Sequence, residues 1–320
     1  MKTYIGVDLG GTNVRVAKVD ESGNVLQVLK EETEAKQGPE HILSKIERMI
    51  ASLDDYESCE GIGLGIPGPI DTQAGKIIVS NNLPDLIGYP IADRFKKHFN
   101  KPVFMDNDVN VAGLGEALQG AGKDNRIVYY LTVSTGVGGA LVVEEKLIAG
   151  ANGHAGEVGN MILDPHRPAR AGLNTGATES EMSGPALTRK ASEALQRPIA
   201  HAGELFELAA QGDEKAKELV ENFKDDFARL LSGIAFVVDP DIFVIGGGVM
   251  KSSEHFFEDV VERYRSLVFP GMRNVKFAKA QLDEPGLIGA AMLPMAYIKY
   301  NKKLYRICDF SYLYIVFILN

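Results

Sequence analysis

Twice along this chain an apolar strand runs into a turn of glycine and small hydroxyl residues and straight out into a second strand. The first instance is Tyr4 to Val7, the turn Leu9 to Thr12, and Val14 to Val19; the second is Ile127 to Val133, Ser134 to Gly139, and Ala140 to Val143. Apolar runs flanking such turns read as β-hairpins, and the repeated plan reads as a duplicated architecture. Helix candidates His41 to Leu53, Ile91 to Phe99 and Val111 to Leu118, with strands Gly61 to Gly65 and Val103 to Met105, follow the first hairpin. After the second come helix candidates Glu181 to Leu195, Gly203 to Ala210 and Glu214 to Val238, the strand Ile242 to Ile245, and helices around Glu254 to Leu267 and Leu287 to Tyr300. Alternating strands and helices define an α/β class.

A chain of 320 residues exceeds the roughly 100 to 200 residues of a single domain, so two lobes with a cleft between them are expected. The rise in glycine and polar content at Gly120 to Asn125 places the boundary there, giving lobes 1–120 and 121–320, with the last helix able to pack back on the first lobe. The net charge of -9 argues against a broad nucleic-acid surface and for small-molecule partners. Cys59 and Cys308 are too few for a disulfide scaffold or a thiolate zinc site, which fits a reducing, cytoplasmic compartment. Asp8 interrupts any signal-peptide core, and no run of about 20 apolar residues is present to span a membrane. The tail Leu304 to Asn320 is out of character with the helix before it and reads as a packed extension or a non-native end.

Glycine and threonine let backbone N–H groups converge on an anion, because no Cβ blocks close approach. Gly10, Gly11, Thr12 and Asn13 meet that need, although an isolated turn of this composition serves a tight hairpin equally well. Asp8, at the end of an apolar strand, needs a partner, solvent or a cation such as Mg²⁺ with its waters; capping the turn is the plainer alternative. Thr135, Gly136, Gly138 and Gly139 form a second candidate phosphate turn. Neither turn has the Gly-Lys-Ser/Thr ending of a P-loop, and Gly246-Gly247-Gly248 lacks the dinucleotide spacing and suits close approach to a flat ring. Asp106-Asn107-Asp108-Val109-Asn110 follows a strand and precedes a helix, where open α/β sheets place sites and where a helix N-cap would also use such residues. Glu157 and Glu179 lie among small residues, plausible in a loop lining and, taken singly, equally at home on a solvated surface.

Together GVDLGGTN, GIPGPID, Asn82-Leu83, NDVN, STGVGG, GHAGEVG, DPDIFVIGGG and GLIGAA resemble the ROK family of bacterial sugar kinases, of the actin, Hsp70 and hexokinase superfamily, over Met1 to Tyr300. The resemblance implies a two-lobed actin-like ATPase (ribonuclease H-like) fold with duplicated mixed-sheet lobes and an interlobe cleft. It implies Asp108 as the base that takes the sugar hydroxyl's proton, with Asn107 holding the sugar and Glu157 and Glu179 accepting from ring hydroxyls. Pro67, Gly68, Asn81 and Asn82 would border the same pocket. Asp8 with Gly10 to Asn13, and Thr135 to Gly139, would be the phosphate hairpins, Gly246 to Gly248 the adenosine loop, and Asp8 the Mg²⁺ contact through water. ATP, Mg²⁺ and a hexose are the implied ligands, and a homodimer or homotetramer the implied assembly.

One departure stands out. Many relatives bind a structural zinc through a histidine and three cysteines, and here Asn160, Arg170, Gly172 and Ala177 occupy those places. His154 and His166 cannot complete a tetrahedral site, so no structural zinc is expected, and Asn160 keeps only a hydrogen bond to offer the sugar. The resemblance implies glucose 6-phosphorylation first. Fructose, mannose, N-acetylmannosamine and β-glucosides are the alternatives within the class. Outside it stand a sugar-sensing repressor, for which this start leaves no room ahead of the first strand, and an inactive sugar-binding relic, against which the retained acids count.

Overall fold

The computed structural model describes residues 1–170 and 172–298; the apolar tail singled out in the sequence lies outside them. By contact the chain divides into two units, Met1–Gln119 with Val143–Gly153 and the segment from Leu282, and Gly120–Val142 with His154–Gln281.

In the first unit, β1 (Thr3–Leu9), β2 (Asn13–Asp20) and β3 (Val25–Glu32) form an antiparallel meander. On the other side of β1 lie β4 (Ile62–Ile66) and β7 (Val103–Asn107), both parallel to it, giving the order β3-β2-β1-β4-β7. β1 and β4 are almost wholly buried and wholly apolar up to their ends, as strands covered on both faces should be. A short antiparallel pair, β5 (Ile70–Asp71) and β6 (Lys76–Ile77), follows β4. The helix α1 (Pro39–Ala51) opens with proline at its first position and buries Ile42, Leu43, Ile46, Met49 and Ile50 in the core with β1 and β4. Helix α2 (Ile91–Phe99) buries Ile91, Ala92 and Phe95 in the same core. Helix α3 (Asp108–Gln119) starts directly from β7.

A helix over residues 285–298 closes the other face. It seats backbone against backbone. A Cβ at Gly63 would fall 1.8 Å from the Ala290 carbonyl oxygen, and one at Gly6 would fall 2.4 Å from that of Leu287. Where this helix meets α3, a Cβ at Gly289 would fall 1.6 Å from the Val111 carbonyl oxygen. Pro294 supplies no N–H for the Ala290 carbonyl, and it is this carbonyl that lies against Gly63.

In the second unit, β9 (Val137–Val143), β8 (Ile127–Val133), the strand Ile242–Gly246 and the strand Lys276–Lys279 lie in that order, the last three parallel. The short strand Lys146–Leu147 lies beyond β9, so a third strand, a hairpin pair and two parallel strands repeat the order of the first sheet. Helices α4 (Thr178–Met182), α5 (Gly184–Leu195), α6 (Ala202–Ala210), α7 (Glu214–Val238) and α8 (Phe257–Leu267) complete it. Phe206, Phe223, Phe227 and Phe256 cluster where α6 and α7 meet, Phe223 standing edge to face with the other three. The single helix expected over Glu181 to Leu195 is two, because Ser183-Gly184-Pro185 stops one and caps the next: the Ser183 side chain accepts from the Ala186 amide. Strands Val25–Glu32 and Lys276–Lys279 went unanticipated, since their alternation is blurred by lysines and glutamates on exposed edges. Among the described residues no helix is long and apolar enough to cross a membrane.

Gly63→Ala and Gly289→Ala should each destabilise the protein by about 1–3 kcal/mol or more, since the clashing atoms are backbone that cannot rotate away. Gly271→Ala, where an added Cβ meets nothing within 4 Å, should stay within about 0.5 kcal/mol. Urea unfolding of the three variants checks the contrast.

Candidate active site

Strand register brings the first unit's candidates to one rung. Asp8 pairs with Gly65 and Gly65 with Asp106, at the C-terminal ends of three adjacent strands. Asp8 is partly exposed, and its Oδ2 accepts from Arg15 Nε at 3.1 Å and from Nη2. Arg15 also pairs with Glu284. In the turn after Asp8 three carbonyls are satisfied within the chain: Asn13 O accepts from the Gly10 amide, Thr12 O from the Thr33 amide and Gly10 O from Thr33 Oγ1. The Gly11 and Thr12 amides, by contrast, have no intrachain acceptor among the described residues. The turn is a donor surface suited to an anion. Asn82 packs against Gly11, where a Cβ would lie 3.0 Å from the Asn82 Cβ.

The strand-to-helix junction sorts the acids of Asp106 to Asn110. Asn107 is the helix cap: its Oδ1 accepts from the Val109 amide at 2.8 Å, and its Nδ2 donates to the Gly68 carbonyl at 3.0 Å. That bond joins the Pro67-Gly68 segment to the junction. The N-cap reading and the site reading of Asn107 are therefore compatible. Asp108 is the first residue of α3, partly exposed, its Oδ1 accepting from the Val109 amide at 2.9 Å; the helix dipole favours a carboxylate there. Asp106 is buried, 1 % exposed. Its Oδ1 accepts from Asn110 Nδ2 at 2.7 Å and the Asn107 amide at 2.8 Å, while its Oδ2 has no partner among the described residues. Burial pushes its carboxyl from an ordinary 3.8 to about 6, against the pull of those two hydrogen bonds. Burial, then the Asp106 charge, pushes Tyr297 up to about 12. Asn81 and Asn82 lie exposed just before the buried Leu83.

In the second unit the turn after β8 repeats the polarity of the first. The Gly136 carbonyl accepts from the Ser134 amide and the Ser134 carbonyl from the Gly184 amide, each at 2.8 Å. The Thr135 and Gly136 amides have no intrachain acceptor among the described residues. Glu179, second residue of α4, reaches this turn: its Oε2 accepts from the Val137 amide at 3.0 Å, and a Cβ at Gly136 would lie 2.5 Å from the same oxygen. The Gly139 amide donates to the Gly156 carbonyl at 2.9 Å, bringing the segment carrying Glu157 alongside Gly138 and Gly139. Asn160 is turned to its own loop, its Oδ1 accepting from the Asn174 amide at 2.7 Å and its carbonyl from Asn174 Nδ2 at 3.0 Å. Gly246 pairs with Thr132 in register, and Gly247 takes φ 94, its Cβ position 2.3 Å from the Val133 carbonyl oxygen, so glycine alone fits.

The structure thus joins Gly68 to Asn107, Gly11 to Asn82, and Glu179 to the Thr135–Gly139 turn. Sequence reading missed Arg15 on Asp8, the buried state of Asp106, and the ion pairs of Arg167 behind Glu179. Among the described residues no group of three or more His, Cys, Asp or Glu side chains is placed to hold a metal ion.

Known proteins match this chain over nearly its full length. The ROK family model matches residues 4–296. The glucokinase of Thermotoga maritima is 31% identical over 304 residues, covering 90% of this chain and 96% of that protein. The N-acetyl-D-glucosamine kinase of Shigella flexneri serotype 5b is 31% identical over 302 residues, covering 91% and 98%. The crystal structure of a ROK family glucokinase from Streptomyces griseus, in complex with glucose and AMPPNP, superposes with a TM-score of 0.71 at 28% identity, covering 91% of this chain and 98% of that one.

Asp106 sets a pH signature. Its folded pKa is raised, so the native state binds more protons than the unfolded state between pH 4 and 6, and stability falls as pH rises through that window by about 3 kcal/mol in total. Asp106→Asn should remove this slope, so that the difference in stability between variant and wild type moves in the variant's favour from pH 4 to pH 6. Urea unfolding across that range would expose a parallel offset instead, which would mean that Asp106 ionises as freely as an exposed aspartate.

Proposed function

The chain belongs to the ROK family, and from that membership we propose that it is an ATP-dependent hexose kinase that phosphorylates the 6-hydroxyl of glucose. The family lies within the actin/Hsp70/hexokinase superfamily, and the chain has its two-lobed actin-like fold. The observation that carries the reading is the junction Asn107-Asp108, where a pinned amide and a carboxylate open a helix at the edge of the sheet. The sugar hydroxyl gives its proton to Asp108 as its oxygen bonds to the γ-phosphorus, the bond to the ADP oxygen breaks, and ADP leaves. In a loose transition state of this kind positioning and charge stabilisation dominate over the strength of the base.

The amides of Gly11 and Thr12, and of Thr135 and Gly136, are donors for phosphate oxygens. Glu157 and Glu179 accept from ring hydroxyls, and Gly246 to Gly248 leave the backbone open to the adenine. Asp8 suits magnesium, which takes oxygen donors, keeps several waters and tolerates a single carboxylate contact through one of them. When bound, that ion neutralises charge on the transferring phosphates. The protein acts in the cytoplasm in this reading. N-acetyl-D-glucosamine is the leading alternative substrate, supported by an equal identity to a kinase of that name.

ADP release from Mg-ATP is expected with glucose, above a no-sugar control, in a panel with mannose, fructose, N-acetylglucosamine, N-acetylmannosamine and cellobiose. Sugar binding without turnover on any of them would remove the kinase reading. Asp108→Asn should cut kcat by about 10²–10⁴-fold and leave sugar affinity within about tenfold, because the interaction lost belongs to the transition state.

Zinc has no part in this reading, since the Asn160 amide oxygen is committed to Asn174. Treatment with a zinc chelator, followed by restored Mg²⁺, should leave Tm and turnover unchanged. Stoichiometric zinc in the purified protein would be the contrary result.

A further inference from the structure

Among its described residues the segment between Asn160 and Thr178 has no strand or helix, only the isolated bridges Ile162 with Ala177 and Ala169 with Thr175. Its fixed point is ionic. Arg167 turns back on Asp164, whose carbonyl accepts from its amide, and sends its guanidinium inward. There Nη1 meets Glu181 Oε2 at 3.0 Å, and Nη1 and Nη2 meet the Asp226 carboxylate, Nη2 at 3.1 Å from Oδ1. Glu181 is 4 % exposed and Asp226 1 %. Lys190 of α5 pairs with Glu181, and Arg229 of α7 pairs with Asp226. Of these cations Arg167 alone bridges both buried carboxylates, which without it would be like charges with less compensation.

This clamp acts on a candidate site residue. Glu181 and Glu179 are two positions apart on α4, about 200° around a helix, and so on opposite faces. Glu181 faces the Arg167 pair while Glu179 faces the glycine turn, taking the Val137 amide. The same helix is tied to the start of the segment through Thr178, whose amide and Oγ1 both donate to the Met161 carbonyl at 2.8 and 3.0 Å. Arg167 therefore fixes the roll of a five-residue helix too short to hold itself. A hydrophobic contact of equal volume would stabilise as well without specifying that orientation.

We propose that Arg167 is a positioning residue for the sugar: by bridging Glu181 and Asp226 it locks the 161–177 segment and α4 together and so sets the aim of Glu179. The proposal rests on the reading of Glu179 as a sugar ligand, and its test separates the two. Arg167→Met should raise the sugar KM roughly tenfold or more while the ATP KM stays within about twofold, because misplacing one contact penalises its own ligand. Arg167→Lys, a single ammonium without the bridging fork, should recover part of the loss. The triple variant Arg167→Met, Glu181→Gln, Asp226→Asn removes the unpaired buried charges and should restore Tm while leaving the sugar KM raised. An unchanged sugar KM in folded Arg167→Met, or a KM that returns with Tm in the triple variant, would overturn the proposal. Hydrogen exchange at the Asn174 and Thr178 amides reads the clamp without turnover: faster exchange in Arg167→Met supports it and unchanged exchange removes it. If the wild type phosphorylates no sugar, the kinase reading fails and the exchange result alone decides the clamp.

Discussion

The first unit depends on a seat where two backbones touch. The helix 285–298 reaches β1, β4 and α3 through positions that tolerate no Cβ, at Gly6, Gly63 and Gly289. Such contact brings Leu287, Ala290 and Ala291 into the core at full burial and covers the sheet face beneath Asp8 and Asp106. The chain must leave the first unit, build the second and return before this helix can form. The closing contacts of the first unit are therefore among its longest in sequence, a costly order for folding. At the end of β7 Asp106 is buried, and that burial raises its carboxyl.

Interior carboxylates recur in both units with the same relation to the candidate site. Asp106 is buried two residues before Asp108, and Glu181 is buried two residues after Glu179. In each pair the buried acid anchors the backbone and the partly exposed one faces outward. On the helix two residues turn the second side chain to the far face, whereas at the end of β7 it is the change from strand to helix that parts Asp106 from Asp108. The anchoring differs in kind. Asp106 is held by neutral donors and is left with an unpartnered oxygen, so it remains close to its proton. Glu181 is paired with two cations, Arg167 and Lys190, and forms part of a charged knot.

The hairpins, the alternation of strands with helices and α7 to its last residue were legible in the sequence because each is a local signal: period, turn chemistry or an Asp-Pro stop. The acids were legible as a set but not by role. Asp106 and Asp108 look alike in a string, and which one is buried is decided by where β7 ends and α3 begins, two residues beyond the last apolar residue of the strand. The knot around Arg167 had no local signature, because its carboxylates come from helices far apart in sequence and its arginine from a segment with no period. The same holds for Arg15, which is placed on Asp8 by antiparallel register alone.

In the proposed reading the two glycine turns take the part that a lysine plays in a P-loop. In each, carbonyls that would repel an anion are taken by donors of the protein itself: by Thr33 and Gly10 in the first, by Ser134 and Gly184 in the second. Two consecutive amides are then left without acceptors in each turn. The Gly10–Gly11 and Ser134–Thr135 peptide groups, whose oxygens are already bonded, present their N–H groups as fixed partial positive charges, and preorganised dipoles require no reorganisation when charge develops beside them. Thr33 gives both its amide and its hydroxyl to the first turn and is wholly buried. It belongs to the proposed phosphate site as much as the glycines do, because it holds two of the turn's carbonyls.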